Sequence, residues 1–296
     1  MNTTSVKVIN TKLFIMRAIL FPTDFSDTAT NAFLYAVNIA KAINAKVFIL
    51  YSYLDPILSA SHGGQPEIVG EVLQSIEKNQ HDLFDRKSQI LREIVASKNL
   101  TDVDLHFLFK EGPVAQVVKK IVDQERINLV VMGTHGESGF LTKVIGTNTV
   151  NVISTIHIPV LAVPPHAQFK DIKHVVFTTL FRENDKSALK EMLIMSKAVQ
   201  AKIDCLHVIQ KDHVADVLLQ TESWQREFPQ DINYILLDEV ESVENTIINY
   251  LLENNVDIFA VVKRNRNFFD RLFTSSTSNN LTFHSKVPIL VFHEEK

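Results

Sequence analysis

The stretch Leu129-Val130-Val131-Met132-Gly133-Thr134-His135-Gly136, followed after nine further residues by Gly146-Thr147-Asn148, decides how this chain is read. Four apolar residues ending in glycine describe a short buried strand that stops abruptly. Thr147 to Thr155 then carries helical periodicity, with Gly146 at its entrance. A strand, a glycine-bearing loop and a helix in that order form an anion cradle. Glycine lets the backbone approach phosphate oxygens without a Cβ in the way and turn sharply enough to aim several N–H groups inward. The amides and positive dipole end of the following helix favour the same charge. The bland alternative is a surface loop whose glycines merely end a strand, because short glycine motifs recur by chance.

The surrounding pattern sets this loop in an α/β fold. Upstream, Ala18 to Pro22 is a short apolar run, followed by Thr23-Asp24-Phe25-Ser26-Asp27 and a helix over Ala29 to Ile43 capped by Ser26 or Asp27. Lys46 to Tyr51 is a second buried strand, Asp55 to Pro66 a loop, and Glu67 to Lys98 a long amphipathic helix. Val103 to Phe109 alternates as a strand. Glu111-Gly112-Pro113 is a turn, with Pro113 suited to the first helical position. Ile158-Pro159-Val160-Leu161-Ala162-Val163 closes the series, and Pro159 predicts an edge strand or a strand beginning. Strands apolar on both faces and alternating with helices predict a parallel sheet covered on both sides.

The series then restarts. His174 to Thr178, Lys202 to Ile209, Ile232 to Leu237 and Asp257 to Val262 read as strands, with helices between them. A helix near Thr277 to His284 precedes the last strand, Val287-Pro288-Ile289-Leu290-Val291-Phe292. The closing strands match at an offset of 129 residues and the opening strands at 156, so the second copy lacks 27 residues in its middle. A repeat this long means two whole domains. The expected division is an N-terminal extension over 1–15, a first domain over 16–166 and a second over 167–296. Each holds an open, mostly parallel five-stranded sheet flanked by helices. The apolar closing strands, Val160 to Val163 and Ile289 to Phe292, are the expected pairing edges.

Bulk properties narrow the function. The chain has 296 residues, enough for two cores. A net charge of −4 and no basic stripe interleaved with aromatics argue against nucleic acid. A single cysteine, Cys205, leaves no intrachain disulfide or cysteine metal cluster and suits a reducing, cytoplasmic setting. Apolar runs fall far short of the roughly 18 to 20 residues that a membrane span needs. Arg17 and Pro22-Thr23-Asp24 break any resemblance of the N-terminus to a signal peptide. The 11 histidines lack metal-ligand spacing. Neither Ser26 nor Cys205 has a recognisable His and acid partner. No catalytic residue and no metal site is therefore assigned; Asp24 as a base lacks a metal-binding companion.

The opening Ile19-Leu20-Phe21-Pro22-Thr23-Asp24-Phe25-Ser26, the Gly-x2-Gly-x9-Gly-Thr motif from Gly133 to Thr147 and the closing Ile158 to Val163 together resemble the universal stress protein family. The resemblance spans nearly the whole chain as a tandem. It implies five-stranded parallel sheets, adenine-nucleotide binding (ATP or AMP, with Mg2+ as an optional companion) and dimerisation through the last strand. Carried over by position, Gly133, Gly136, Gly146, Thr147 and Asn148 would meet the phosphates. Pro22, Thr23 and Asp24 would lie by adenine or ribose, Met132 would flank the ligand, and Ser52 would stand at the adenine wall. Ser52 departs from the aliphatic residue expected there. His135 and Lys143 would offset phosphate charge, or equally stand solvated on the loop.

The second copy departs further. Val262, Asn265 and Ser275 replace Gly133, Gly136 and Gly146, Leu180 replaces Asp24, and all eight glycines of the chain lie in the first copy. Arg264, Arg266 and Arg271 could attract an anion, but three arginines on a polar loop read as solvated residues. The favoured expectation is a stress-response sensor or interaction module, working as a homodimer, that binds nucleotide in domain one, with domain two as a non-binding pseudo-dimer partner. A slow ATPase or nucleotide-transferring enzyme, and a structural protein with an empty pocket, are its rivals.

Overall fold

A computed structural model describes residues 16–54, 66–134, 146–210, 214–229, 232–264 and 286–294, with the side chains of 66–72 outside that description. The proposed N-terminal extension, the positions His135, Gly136, Lys143, Asn265, Arg266, Arg271 and Ser275, and the helix near 277–284 lie outside the described residues.

In chain order the first half comprises β1 (Ala18–Thr23), α1 (Asp27–Ile43), β2 (Lys46–Tyr53), α2 (Pro66–Ser97), β3 (Leu105–Glu111), α3 (Val114–Glu125), β4 (Leu129–Gly133), α4 (Thr147–Thr155) and β5 (Val160–Val163). The second comprises β6 (His174–Thr178), α5 (Asp185–Val199), β7 (Lys202–Ile209), α6 (Val214–Glu227), β8 (Ile232–Asp238), α7 (Val243–Glu253), β9 (Ile258–Lys263) and β10 (Ile289–His293). The 27 residues missing from the second copy fall largely in the helix after the second strand, 32 residues long in α2 and 14 in α6.

The strands form one continuous sheet in the order β3-β2-β1-β4-β5-β10-β9-β6-β7-β8. Neighbours within each half run parallel. The halves meet where β5 and β10 pair antiparallel, Leu161 opposite Leu290. Two five-stranded units thus become a single ten-stranded sheet, joined through the two closing strands that the sequence marks as pairing edges. Pro159 marks a strand beginning, not an edge: β5 is flanked by β4 and β10, and the Pro159 carbonyl accepts the Val130 N–H. Pro288 does the same for Phe259 before β10.

Alternation along each strand sends side chains to two apolar layers. Ile19 and Phe21 belong to the layer that includes residues of α1, α2, α5 and α6, and Ala18 and Leu20 to the layer that includes residues of α3, α4 and α7. Both layers run across the seam, Leu161 with Leu290 on one face and Val160 with Val291 on the other. Fully buried side chains such as Phe21, Phe33, Phe177 and Phe259 each contribute about 1.5–3 kcal/mol by leaving water.

The two halves repeat one local device after their first strands. The Phe25 N–H donates to Thr23 Oγ1 at 2.9 Å, and the Phe181 N–H to Thr179 Oγ1 at 2.8 Å. Phe25 and Phe181 both hold positive φ, 60° and 54°. A bulky residue in that region marks a tightly determined turn. Ser26, not Asp27, then caps α1, its Oγ accepting the Ala29 N–H at 3.2 Å.

Candidate functional site

In the first half the chain leaves β1 toward β2 on one side and β4 toward β5 on the other, so the sheet's switch point lies between β1 and β4. Crevices in open α/β sheets form at the carboxyl ends of such strands. Here β1 pairs with β4 over Ile19 and Leu20 only, and the strands separate beyond. Pro22, which has no N–H to donate, stands just past the last pair.

A cavity of about 530 Å3 opens at that point, a size ordinary for small-molecule sites. Pro22, Thr23 and Asp24 form one wall, with Asp24 exposed at the mouth. One Asp24 carboxylate oxygen accepts the Ser26 N–H at 3.0 Å, fixing the turn into α1. Met132 and Gly133 come from the end of β4, and Gly146, Thr147 and Asn148 from the start of α4. The described residues of the sequence-predicted site, Pro22, Thr23, Asp24, Ser52, Met132, Gly133, Gly146, Thr147 and Asn148, thus converge on one cavity. His135 and Gly136 sit on the connecting loop, outside the described residues.

Local chemistry explains why β4 and α4 meet there. A Cβ on Gly133 would stand 3.0 Å from Thr28 Cγ2 and 3.3 Å from the Thr28 backbone, so glycine admits the first turn of α1. Thr149 Oγ1 donates to the Gly133 carbonyl at 2.9 Å, and the Gly146 N–H donates to the Thr134 carbonyl. These two bonds hold the helix entrance against the strand end. Gly146 is the N-cap residue of α4 and offers no side-chain cap. The first amides of any helix have no partner within it. Those of α4 belong to residues that line the cavity, and the dipole adds positive character there.

On the opposite wall, Ser52 Oγ donates to the Gly112 carbonyl at 2.6 Å, tying the end of β2 to the turn before α3. Gly112 holds a φ of +130° and lies where a Cβ would meet Val117 at 3.1 Å. The hydroxyl at position 52, unexpected for an adenine wall, therefore has a local structural partner. Sequence reasoning missed Ala29, Leu50, Val114, Thr134 and Thr149, which also line the cavity. Of these only Thr134 and Thr149 carry a signal, their adjacency to the two motif glycines. Leu50 and Val114 look like ordinary core positions.

The matching place in the second half is built differently. Asp185, at the offset of 156 from Ala29, is fully buried, and its Oδ2 accepts Thr179 Oγ1 at 2.9 Å and the Leu180 N–H at 3.0 Å. Its other oxygen pairs with the Arg264 guanidinium. Arg264 stands at the place of His135 and is largely buried, which corrects its reading as a solvated loop arginine. Where the first half leaves a methyl beside an opening, the second installs a carboxylate and its cation. His207 lies alongside, its Nδ1 donating to the Thr179 carbonyl at 2.8 Å; burial above all holds its pKa below the ordinary histidine value. Burial pushes the Cys205 thiol well up, which suits a structural strand residue.

A parallel sheet flanked by helices, with a helix N-terminus at its switch point, defines an α/β protein with a crevice at the carboxyl ends of its strands. The universal stress protein family model matches residues 16–164, about half of the chain, and the chain belongs to that family. Universal stress protein MJ0531 of Methanocaldococcus jannaschii is 29% identical over 150 residues, covering 50% of this chain and 82% of its own. Universal stress protein MJ0577 of the same organism is 28% identical over 158 residues, covering 50% and 94%. The crystal structure of a universal stress protein from Archaeoglobus fulgidus DSM 4304 has a TM-score of 0.66 and 17% identity. It covers 95% of this chain and 100% of its own, a likeness of fold that includes both halves. Among the described residues no helix is long and apolar enough to cross a membrane.

Proposed function

We propose that this chain binds an adenine nucleotide, ATP or AMP, in the cleft of its first half and serves as a stress-response sensor or interaction module. The observation that carries the proposal is the convergence of the uncapped α4 entrance, the Gly133 strand end and Pro22 to Asp24 on one cavity of about 530 Å3. In this reading the amides of Thr147, Asn148 and Thr149 meet the phosphates, helped by Gly136 and His135 on the loop. Pro22 to Asp24, Ser52 and Met132 lie around base and ribose. Leu50 and Val114 supply apolar surface for the ring.

Residues 167–296 act as the non-binding partner of residues 16–166. The buried Asp185–Arg264 pair supports this, because an internal carboxylate already takes donors that a bound anion would seek.

The test is mass spectrometry of small molecules released from the purified full chain, followed by calorimetric titration with ATP and AMP, with and without Mg2+. One equivalent bound without turnover is the expected result. Two equivalents would overturn the role given to the second half. Failure of either nucleotide to bind at millimolar levels would overturn the site, and steady phosphate release would make the protein an enzyme.

A further inference from the structure

Helix α4 has two ends with different duties. Its N-terminal residues Gly146 to Thr149 line the cleft. Its C-terminal end reaches the second half. The Ile156 N–H closes the last helical bond on the Val152 carbonyl at 3.1 Å, and the next carbonyl, that of Ile153, turns outward from the helix's own ladder. There it meets two donors from the other half. Lys263 Nζ lies 3.3 Å from the Ile153 oxygen and 3.2 Å from Ser154 Oγ, and His293 Nε2 lies 2.7 Å from the same Ile153 oxygen. Lys263 and His293 are the last residues of β9 and β10 and stand opposite each other in register. His157, just past α4, sets its ring edge-on to His293 with centroids 5.9 Å apart.

We infer that Lys263 and His293 are positioning residues for the first half's ligand cleft. They hold the far end of α4 and so set where its leading amides stand. The inference rests on the nucleotide reading above and extends it by giving the second half a part in that site. From Ile153 back to Gly146 is about 10 Å along the helix. A nine-residue helix is short enough to shift as a rigid rod when one end is released. A cation at a helix C-terminus also completes the macrodipole whose other end faces the ligand. The contribution is not reciprocal. At the offset of 129, the first half has Thr134 and Pro164 where the second has Lys263 and His293, and neither offers a charged donor. The second half, whose own first strand ends against the Asp185–Arg264 pair, thus braces its neighbour's cleft.

The test uses the full chain carrying Lys263→Met and His293→Phe together, beside Lys263→Arg and His293→Gln, which keep a donor at each place. Calorimetry with ATP should show the double variant binding about tenfold more weakly, the scale of one helix-terminus charge and one hydrogen bond, with the conservative pair close to wild type. A general loss of stability at the seam would lower the unfolding temperature without separating the two pairs by affinity. Hydrogen exchange at the Thr149 to Ile153 amides, measured without ligand, should be faster in the double variant only. Wild-type affinity in the double variant, or unchanged exchange in α4, overturns the inference. Absence of binding by the wild-type chain overturns the nucleotide reading instead, and the exchange measurement still decides whether α4 is braced.

Discussion

Asp185 occupies in the second half the place that Ala29 holds in the first, at the opening of the helix after the first strand. The two halves thereby differ at one matched position in the charge placed beside the end of the first strand. The carboxylate at 185 is fully buried and paired with Arg264, whereas the methyl at 29 lines the cavity.

Asp185→Ala should destabilise the protein by about 3–5 kcal/mol, because Arg264 is left charged and largely buried. Asp185→Ala combined with Arg264→Met should recover much of that loss. Urea denaturation followed by circular dichroism checks both, and equal midpoints for the single and double variants would refute the account.

The reverse exchange, Ala29→Asp, should place a carboxylate in the first half's cleft and compete there with a bound anion. Nucleotide affinity should fall by at least about tenfold while the far-ultraviolet spectrum stays unchanged, as a like charge in a phosphate site predicts. Retained affinity would show that the ligand sits elsewhere.

Gly133→Ala tests the close approach of α1 to β4. The added Cβ meets the Thr28 backbone at 3.3 Å, which cannot yield as a side-chain tip can. A cost of about 1–3 kcal/mol is expected, the range for overpacking. It would appear as a lowered unfolding temperature together with weaker nucleotide binding. Gly146→Val should spare stability and remove binding, since Gly146 has an ordinary φ of −63° and lines the cavity.

Acid should weaken the fold through two histidines. Burial holds His293 below its ordinary pKa, with the charges of Lys263 and His157 adding to it. Burial does the same for His207, Arg264 adding to it while the Thr179 carbonyl and Asp185 oppose. The unfolded chain takes up these protons near pH 6.5 and the folded chain only below that. Between the two values the unfolded state binds more protons, so stability falls as pH drops from about 6.5 and levels off once the folded histidines are charged. Unfolding temperatures from pH 7.5 to 5 should show this decline, and His293→Gln should make it shallower. An identical slope in the variant would remove His293 from the explanation.

Much of this was legible in the residues because the chain repeats itself. Ile158-Pro159-Val160-Leu161 and Val287-Pro288-Ile289-Leu290 announce equivalent strands, and apolar runs broken at regular intervals announce a parallel sheet. The site was legible where glycine and proline punctuate strand ends, at Pro22, Gly133 and Gly146. It was not legible at Leu50 or Val114, which differ from core residues only in what they face. Nor could a local pattern tell that Arg264 turns inward, since its partner lies 79 positions away on another element. The edges that join the two sheets were legible as the apolar closing strands, but the antiparallel register of Leu161 with Leu290 was not, because a strand's apolar face does not fix the direction of its neighbour.

The antiparallel join of β5 to β10 carries a consequence for behaviour on dilution. Subunits that meet through separate chains fall apart as concentration drops, but here the two contacting edges are tethered on one polypeptide and their encounter is unimolecular. The mated architecture should therefore persist at nanomolar levels. It also needs no symmetry, so each lobe is free to drift in sequence without losing its mate.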